Sequence, residues 1–279
     1  MILGAHVSIA GGVAAAPQNA ARCGCHTFQM FTRNQRRWSA EPLRQQQVAA
    51  FRAGMAEHHL VPGTVHAPYL VNLAARDPEL LAKSRTCMVS ELERTEQLGL
   101  PYLVVHPGAH RGQGTAAGIE AAAATLDEMF RGARARRAMV LLETTSGAGS
   151  VLGGPFEELA AIRGLCHNAD RVGYCVDTCH IFCAGYDIRC REDYDTTVAQ
   201  MDRALGLVNV KAFHLNDSKG TLGSHVDRHA RIGQGELGTN PFRYLVNDLR
   251  FATHPGILEV PGGPEAYAED LALLRSFQL

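Results

Sequence analysis

The sequence predicts an α/β fold in the form of a single (β/α)8 TIM barrel, with one domain covering residues 1–279. Eight short apolar runs rich in β-branched residues alternate with longer stretches rich in Ala, Leu, Arg and Glu. Several of the short runs are continuously apolar, which is typical of parallel strands that are covered on both faces. Eight such units in 279 residues match the usual size of a closed barrel. An open, doubly wound sheet is less favoured because no GxGxxG motif follows the first run.

Each predicted strand is a run of four to six residues between segments that favour turns or helices. In chain order the predicted strands are Ile2–Val7, Thr27–Phe31, Thr64–Ala67, Tyr102–His106, Met139–Glu143, Val172–Asp177, Val210–Leu215 and Ile257–Val260. A helical segment follows each of them, and the last helix ends close to the C-terminus. No linker or low-complexity tract divides the chain, which supports one domain.

The helix boundaries are predicted from capping residues and prolines. Ser, Asp or Asn before a helical pattern acts as an N-cap, and proline is favoured in the first turn. The predicted starts are Ser39-Ala40-Glu41, Asp77-Pro78-Glu79 and Asn240-Pro241, with further first-turn prolines at Pro155 and Pro264. Gly99 predicts the end of the helix that begins near residue 78, because glycine tolerates the left-handed conformation that closes many helices.

The composition excludes several classes of protein. Hydrophobic residues make up 46% of the chain and charged residues 20%, which excludes disordered and fibrous proteins. With 27 basic and 28 acidic residues, the net charge is −1, so any polyanion must be bound by local basic patches. No apolar run reaches the ~20 residues of a membrane helix, and the start lacks the basic segment of a signal peptide. Eight cysteines without a CxxC pair predict reduced thiols and a cytoplasmic protein.

Histidine and carboxylate residues cluster where the predicted strands end. The C-terminal ends of barrel strands meet at one rim, where the active sites of this fold lie. Nine such residues are expected there: His66, His106, Glu143, Asp177, His180, His214 and Glu259 at strand ends, and Asp227 and His229 in a loop after the seventh strand. Burying five imidazoles and four carboxylates without partners would be very costly, whereas divalent ions stabilise them. Nitrogen and oxygen ligands without thiolate favour Zn²⁺ or Mn²⁺ in a hydrolytic site, and nine ligands would serve two or three ions.

Several long strings resemble one known family, in the order in which that family has them. They are GAHVS (4–8), FTRNQRRW (31–38), HAPYLVNLA (66–74), CVDTCHIFCAGYD (175–187) and HLNDSKGTLGSHVDRHARIGQG (214–235). These strings closely resemble endonuclease IV, the zinc-dependent apurinic/apyrimidinic (AP) endonuclease family of base-excision repair. The resemblance extends from Gly4 to Glu259 and therefore covers nearly the whole chain.

The resemblance implies three zinc ions per chain, with Mn²⁺ possible in some positions. By matching motif position, His66, His106 and Glu143 hold the first ion, Glu143, Asp177, His214 and Glu259 the second, and His180, Asp227 and His229 the third. Glu143 and Glu259 are the expected catalytic carboxylates. The implied reaction hydrolyses the phosphodiester 5′ to an abasic site, leaving a 3′-hydroxyl and a 5′-deoxyribose phosphate. The family also removes blocking groups from 3′ ends.

The implied substrate is double-stranded DNA with an abasic site or a blocked 3′ end. An abasic sugar inside a duplex must be extruded before it reaches an active site. By resemblance, Tyr69 and Leu70 insert into the duplex and Arg36 fills the gap in the stack. Phosphate contacts are expected from basic residues near the rim, namely Arg33, Arg36, Arg37, Lys219, Arg228 and Arg231. Nothing in the sequence indicates an oligomer, so we expect a monomer.

Two other functions remain open on the sequence alone. A metal-dependent sugar isomerase or epimerase of the same barrel type would use similar Glu, Asp and His ligands, but it has no need of a third ligand set or an Arg-rich loop. A non-catalytic DNA-lesion binder with structural zinc tolerates the loss of ligands, whereas all nine are present here. The roles of His6, at the end of the first strand, and His225, within GSHVDRH, are left open.

Overall fold

Eight parallel strands close into a barrel in the computed structural model of the chain, which describes residues 1–279. The barrel strands are β1 (Ile2–His6), β2 (Thr27–Met30), β3 (Thr64–His66), β4 (Tyr102–Val105), β5 (Met139–Glu143), β6 (Val172–Asp177), β7 (Val210–His214) and β10 (Pro255–Leu258). Two short strands, β8 (Asp217–Ser218) and β9 (His229–Ala230), pair antiparallel in the long segment after β7. The barrel order is β1-β10-β7-β6-β5-β4-β3-β2, which confirms the predicted TIM barrel.

Helices follow every barrel strand. They are α1 (Ala16–Arg22), α2 (Gln45–Glu57), α3 (Pro78–Leu98), α4 (Thr115–Gly132), α5 (Phe156–Leu165), α6 (Thr178–Ala184), α7 (Arg191–Leu205), α8 (Asn240–Val246) and α9 (Gly263–Phe277). The predicted ends of α3 are confirmed, since Asp77 accepts a hydrogen bond from the Leu80 backbone N–H at 2.7 Å and Gly99 adopts a left-handed conformation. None of the helices combines the length and the apolar character required to cross a membrane.

One predicted helix start is wrong. The helix expected from Ser39 begins instead at Gln45. The intervening segment remains irregular because two buried arginine side chains bind its carbonyl groups, at Trp38 and Glu41. A local capping signal is thus overridden by contacts with a distant part of the chain.

The last strand lies two residues earlier than predicted, at Pro255–Leu258 rather than Ile257–Val260. Its register is set by β1, where Ile2 is paired with Pro255. Proline is compatible with the first position of a strand, where its missing N–H costs least. As a result, Glu259 follows the strand instead of lying within it.

Apolar packing fills both the barrel and the layer around it. A large buried cluster lies between the strands and the helices, and Val104, Leu141, Cys175 and Ala212 form a smaller one. Close strand contact depends on Gly4, because a Cβ there would lie 1.9 Å from the carbonyl oxygen of Thr27. This packing makes the barrel a rigid support for the loops at the C-terminal ends of its strands.

Candidate metal centre

The nine predicted ligand residues lie together at the C-terminal rim of the barrel. His66, Glu143, Asp177 and His214 end strands, His106 and Glu259 directly follow strands, His180 is in the first turn of α6, and Asp227 and His229 belong to the segment after β7. Their donor atoms form three groups whose atoms all lie within 4.8 Å of one another: His66, His106 and Glu143; Glu143, Asp177, His214 and Glu259; and His180, Asp227 and His229. The three groups coincide with the three ligand sets that the resemblance implies.

Glu143 is fully buried and belongs to two of these groups. Its Oε2 atom lies 3.0 Å from the Nε2 atoms of both His66 and His106, and its Oε1 atom lies 2.8 Å from His214 Nδ1. Burial alone would raise the pKa of this carboxyl group. The positive charges of His214 and His106, together with hydrogen bonds from His106 and His180, outweigh burial and hold the Glu143 pKa well below its usual range.

The third group is the most open of the three. His180 is buried and its Nε2 atom lies 3.2 Å from Asp227 Oδ1, while the Asp227 side chain is about half exposed. His229 Nε2 lies 3.5 Å from the same oxygen. Cys179 lies beside this group as well, with its sulfur within 4.8 Å of donor atoms of Asp177 and His229 and 3.8 Å from the Arg228 carbonyl oxygen. The group therefore combines imidazole and carboxylate donors with access from solvent.

The orientation of two histidine rings tests whether the donor set fits a cation. The Nδ1 atoms of His66 and His180 lie 2.7 and 2.8 Å from the carbonyl oxygens of Ala67 and Thr144. Because a carbonyl oxygen only accepts hydrogen bonds, these Nδ1 atoms carry the proton, and in a neutral ring Nε2 presents its lone pair. Both lone pairs face a carboxylate oxygen, at Glu143 and at Asp227 respectively. Two lone pairs at this distance repel unless a cation or a second proton lies between them.

Two further rings of the cluster, the buried His214 and the partly buried His229, have the same arrangement. His229 Nδ1 lies 3.2 Å from the Glu259 carbonyl oxygen, and its Nε2 atom is buried without a hydrogen-bond partner. His214 Nε2 lies 3.0 Å from the Gln29 side-chain oxygen, so its Nδ1 atom faces the carboxylates. Metal-ligating histidines usually bond through their second nitrogen in this way, which fixes the tautomer and the ring plane. The donor set thus fits divalent cations.

Gln29, on β2, orients two of the clustered side chains and was missed from the sequence. Its Nε2 atom donates to Glu259 Oε1 at 2.7 Å, and its Oε1 atom accepts from His214. His6, whose role the sequence left open, lies 2.9 Å from the same Glu259 oxygen through Nδ1. The sequence does contain a signal that points to Gln29, since it is a polar residue inside a buried strand that ends at the rim.

Two further polar residues at the rim support the loops. Asn216 donates to Asp177 Oδ2 at 2.7 Å and thereby orients a predicted ligand. His225 has a positive φ of 58° and its Nδ1 atom lies 2.7 Å from the Ser146 carbonyl oxygen. His225 therefore joins the loops that follow β5 and β7, which explains its position without assigning it to the cluster.

Tyr69 and Leu70 come three and four residues after His66 and lie at the surface of the rim. The Tyr69 side chain is 62% exposed, although its ring centroid lies only 5.6 Å from that of His66 and 6.1 Å from that of His106. Leu70 is half-buried. An exposed aromatic ring next to these two imidazoles leaves an apolar surface available beside the cluster.

Four of the predicted basic contacts are exposed. Arg36 and Arg37 lie in the loop after β2. Lys219 and Arg228 are brought together by the β8–β9 pairing, with the Lys219 N–H donating to the Arg228 carbonyl at 2.9 Å. Backbone pairing thus places two exposed basic residues, nine positions apart along the chain, next to each other.

The prediction that Arg33 contacts phosphate is wrong, because its side chain is buried and cannot reach a ligand at the surface. Its side chain is buried and pairs with Glu91, and it also donates to the Trp38 carbonyl and the Ser90 hydroxyl. Arg231 is likewise unavailable, since its guanidinium pairs with Glu269 and Asp270 on α9. In both cases the partner lies far away in sequence, so the basic residue alone misleads.

The barrel is shared with proteins of different chemistry. Residues 17–277 match the family described as "Xylose isomerase-like TIM barrel". A D-tagatose 3-epimerase-like protein has a TM-score of 0.76 at 17% identity, covering 99% of this chain and 97% of that one. Similarity at this level of identity shows the fold alone.

Similarity at a higher level identifies a narrower group. A probable endonuclease 4 from Chloroflexus aggregans is 50% identical over 276 residues, which cover 98% of this chain and 96% of that protein. A second one, from Halorhodospira halophila, is 46% identical over 274 residues, covering 98% and 92%. The crystal structure of endonuclease IV from Thermus thermophilus has a TM-score of 0.90 at 38% identity, covering 99% of this chain and 98% of that one. The chain therefore belongs to the endonuclease IV family.

Proposed function

We propose that this protein is a metal-dependent AP endonuclease of base-excision repair. It hydrolyses the phosphodiester 5′ to an abasic site in double-stranded DNA, leaving a 3′-hydroxyl and a 5′-deoxyribose phosphate, and it also removes blocking groups from 3′ ends. The observation that carries this proposal is the set of three donor groups, two of which share Glu143, beside the exposed Tyr69. Membership in the endonuclease IV family supports the same reaction.

The proposed cofactor is three Zn²⁺ ions per chain, with Mn²⁺ acceptable in some positions. The three donor groups defined above would hold them, and Glu143 would be shared between two groups. Bound divalent ions lower the pKa of water and offset the charge of a phosphate undergoing displacement. Glu143 and Glu259 are the proposed catalytic carboxylates. Gln29 and His6 hold Glu259 in one orientation, so that its second oxygen faces His214 at 3.2 Å.

Recognition of the lesion is proposed for the exposed side chains around the cluster. Tyr69 and Leu70 would enter the stack where the abasic sugar leaves it, since apolar side chains are suited to separating base steps. Arg36 would occupy the vacated space. Arg37, Lys219 and Arg228 would contact phosphates, which positions the duplex without reading its sequence.

We further propose that residues 1–279 act as one domain and as a monomer. All nine clustered side chains come from a single chain, so a second copy is not required to complete the site. A reducing compartment, the cytoplasm, suits the eight free cysteines.

The test is incision of a duplex that carries one abasic site, with the metal content measured by elemental analysis on the same preparation. We expect strand cleavage on the 5′ side and a 3′ end that a polymerase extends. His214→Ala should abolish cleavage because His214 is a buried donor beside Glu143 and Glu259. His167→Ala is the matched control, since its side chain is 89% exposed and outside the three groups.

The same assay separates the two other functions. A lesion binder would shift the abasic duplex in a binding assay without cleaving it. A sugar epimerase would neither bind nor cleave the duplex and would instead interconvert ketoses. Either result with fully metal-loaded protein would refute the proposed function.

A further inference from the structure

A buried ion pair lies beneath the loop that follows β2. Glu91, on α3, is fully buried, and its carboxylate pairs with the guanidinium of Arg33. Its two oxygens also accept from the Thr32 hydroxyl, at 3.0 and 2.8 Å. A buried carboxylate is costly unless it is paired and hydrogen-bonded, and removing one partner leaves the other charge uncompensated. Glu91 therefore strongly favours the conformation in which Thr32 and Arg33 point inwards.

Two arginines extend this network to the far side of the same loop. Arg33 donates from Nη1 to the Trp38 carbonyl at 3.0 Å, and Arg94, one turn along α3 from Glu91, donates to the Glu41 carbonyl at 2.8 Å. Arg94 also donates to the loop's first end, at Thr32. The loop is thus anchored to α3 both before and after residues 34–37.

The anchored segment is a tight turn with two exposed arginines. The Asn34 side-chain oxygen accepts from the Arg36 N–H at 2.9 Å, and the Asn34 carbonyl accepts from the Arg37 N–H at 3.0 Å. The Arg36 and Arg37 side chains are exposed, and the two hydrogen bonds that hold the turn use only their backbone N–H groups. Their backbone is therefore fixed while their guanidinium groups remain free for another molecule.

We propose that Glu91 is a positioning residue for DNA binding, which acts through the loop that carries Arg36 and Arg37. This rests on the proposed function, in which those two arginines meet the duplex. A loop that is already ordered avoids the entropy cost of ordering it at the moment of binding. Arg33 thus serves the same surface from inside the protein instead of contacting phosphate.

The principal test compares Glu91→Gln with Glu79→Gln in metal-loaded protein. Glu91→Gln keeps the side-chain size and removes the charge, so we expect KM for an abasic duplex to rise about tenfold with kcat changed less than about twofold. The slope of log binding constant against log salt should become shallower by about 1 to 2, because each phosphate contact contributes about 0.9. Glu79 is an exposed member of an ion pair on the same helix, so Glu79→Gln should change neither KM nor the salt slope.

A double-mutant cycle separates positioning from general stability. If Glu91 acts through the loop, Glu91→Gln should add little to the KM of an Arg36→Ala/Arg37→Ala protein. Additive effects, or a lowered Tm with unchanged KM and salt slope, would overturn the proposal. If Glu91→Gln does not fold, Ser90→Ala replaces it, because this change removes one hydrogen bond to Arg33 (2.7 Å). We expect a smaller rise in KM and a smaller change of the salt slope in that variant.

Limited trypsin digestion without DNA keeps this inference distinct from the proposed function. Cleavage after Arg36 or Arg37 should be faster in Glu91→Gln than in Glu79→Gln. If the wild-type protein fails to incise an abasic duplex, the proposed function is refuted, whereas faster digestion still supports the anchoring of the loop. Equal digestion rates for the two variants would overturn the role of Glu91 whatever the wild-type activity.

Discussion

Replacing both Tyr69 and Leu70 by alanine should impair incision at an abasic site far more than removal of a blocking group from a 3′ end. These two side chains act as a wedge between base steps, which is needed only where a sugar must be held out of a continuous stack. Unstacking costs a few kcal/mol per step. At a fraying 3′ end much of that cost is already absent. The two reactions therefore differ in how much they require these side chains.

The structure sets the size of the expected effect. Tyr69 is 62% exposed and Leu70 half-buried, so truncation should alter folding stability by only about 1 kcal/mol. If the pair supplies about 2 kcal/mol towards unstacking, incision falls about thirtyfold, since 1.4 kcal/mol corresponds to tenfold. Trimming of a blocked 3′ end should fall less than about threefold on the same reasoning.

The assay measures kcat/KM for both substrates at equal metal occupancy, with His180→Ala as the comparison. His180 is buried in the third donor group and does not contact the stack, so both activities should fall together in that variant. If the Tyr69/Leu70 variant loses both activities equally, these residues bind substrate generally or support the loop. The wedge role would then be refuted.

Three further predictions follow from the donor groups and the charges. Elemental analysis of active protein should give about three divalent ions per chain, and one ion or fewer would exclude the trinuclear arrangement. DNA affinity should fall steeply with salt although the net charge is −1, with a slope of about −4 for the four exposed basic residues, and a flat dependence would refute their role. Asp127→Asn should lower stability at neutral pH, and this loss should shrink progressively as the pH falls below about 4. Burial raises the pKa of Asp127, but hydrogen bonds from His167 and Asn168 outweigh burial and lower the pKa. The carboxylate therefore stabilises the fold above its unfolded pKa and loses that effect as the pH falls through its folded pKa. Urea unfolding measures the effect, and an equal loss of stability at neutral and at acidic pH would contradict this pH dependence.

The fold and the residue types of the cluster follow from local patterns in the sequence. Strand β6 was predicted with its observed limits, Val172–Asp177, because a continuous apolar run bounded by polar residues is a local property. Parallel strands in a barrel all end at one rim, so a polar residue at each strand end is enough to predict that these side chains meet. Local patterns therefore led to Glu143 and its neighbours without any distance being known.

Tertiary structure alone decided which side chains face outwards and how the clustered ones are oriented. Arg33 and Arg36 are three positions apart in one basic loop, yet Arg33 is buried because Glu91, 58 residues away, supplies the opposite charge. Gln29 orients Glu259 across 230 residues. Burial and hydrogen bonding depend on partners that only folding brings within about 3 Å. For that reason the types of side chain at the site could be predicted from the sequence, whereas the direction in which each charged side chain points could not.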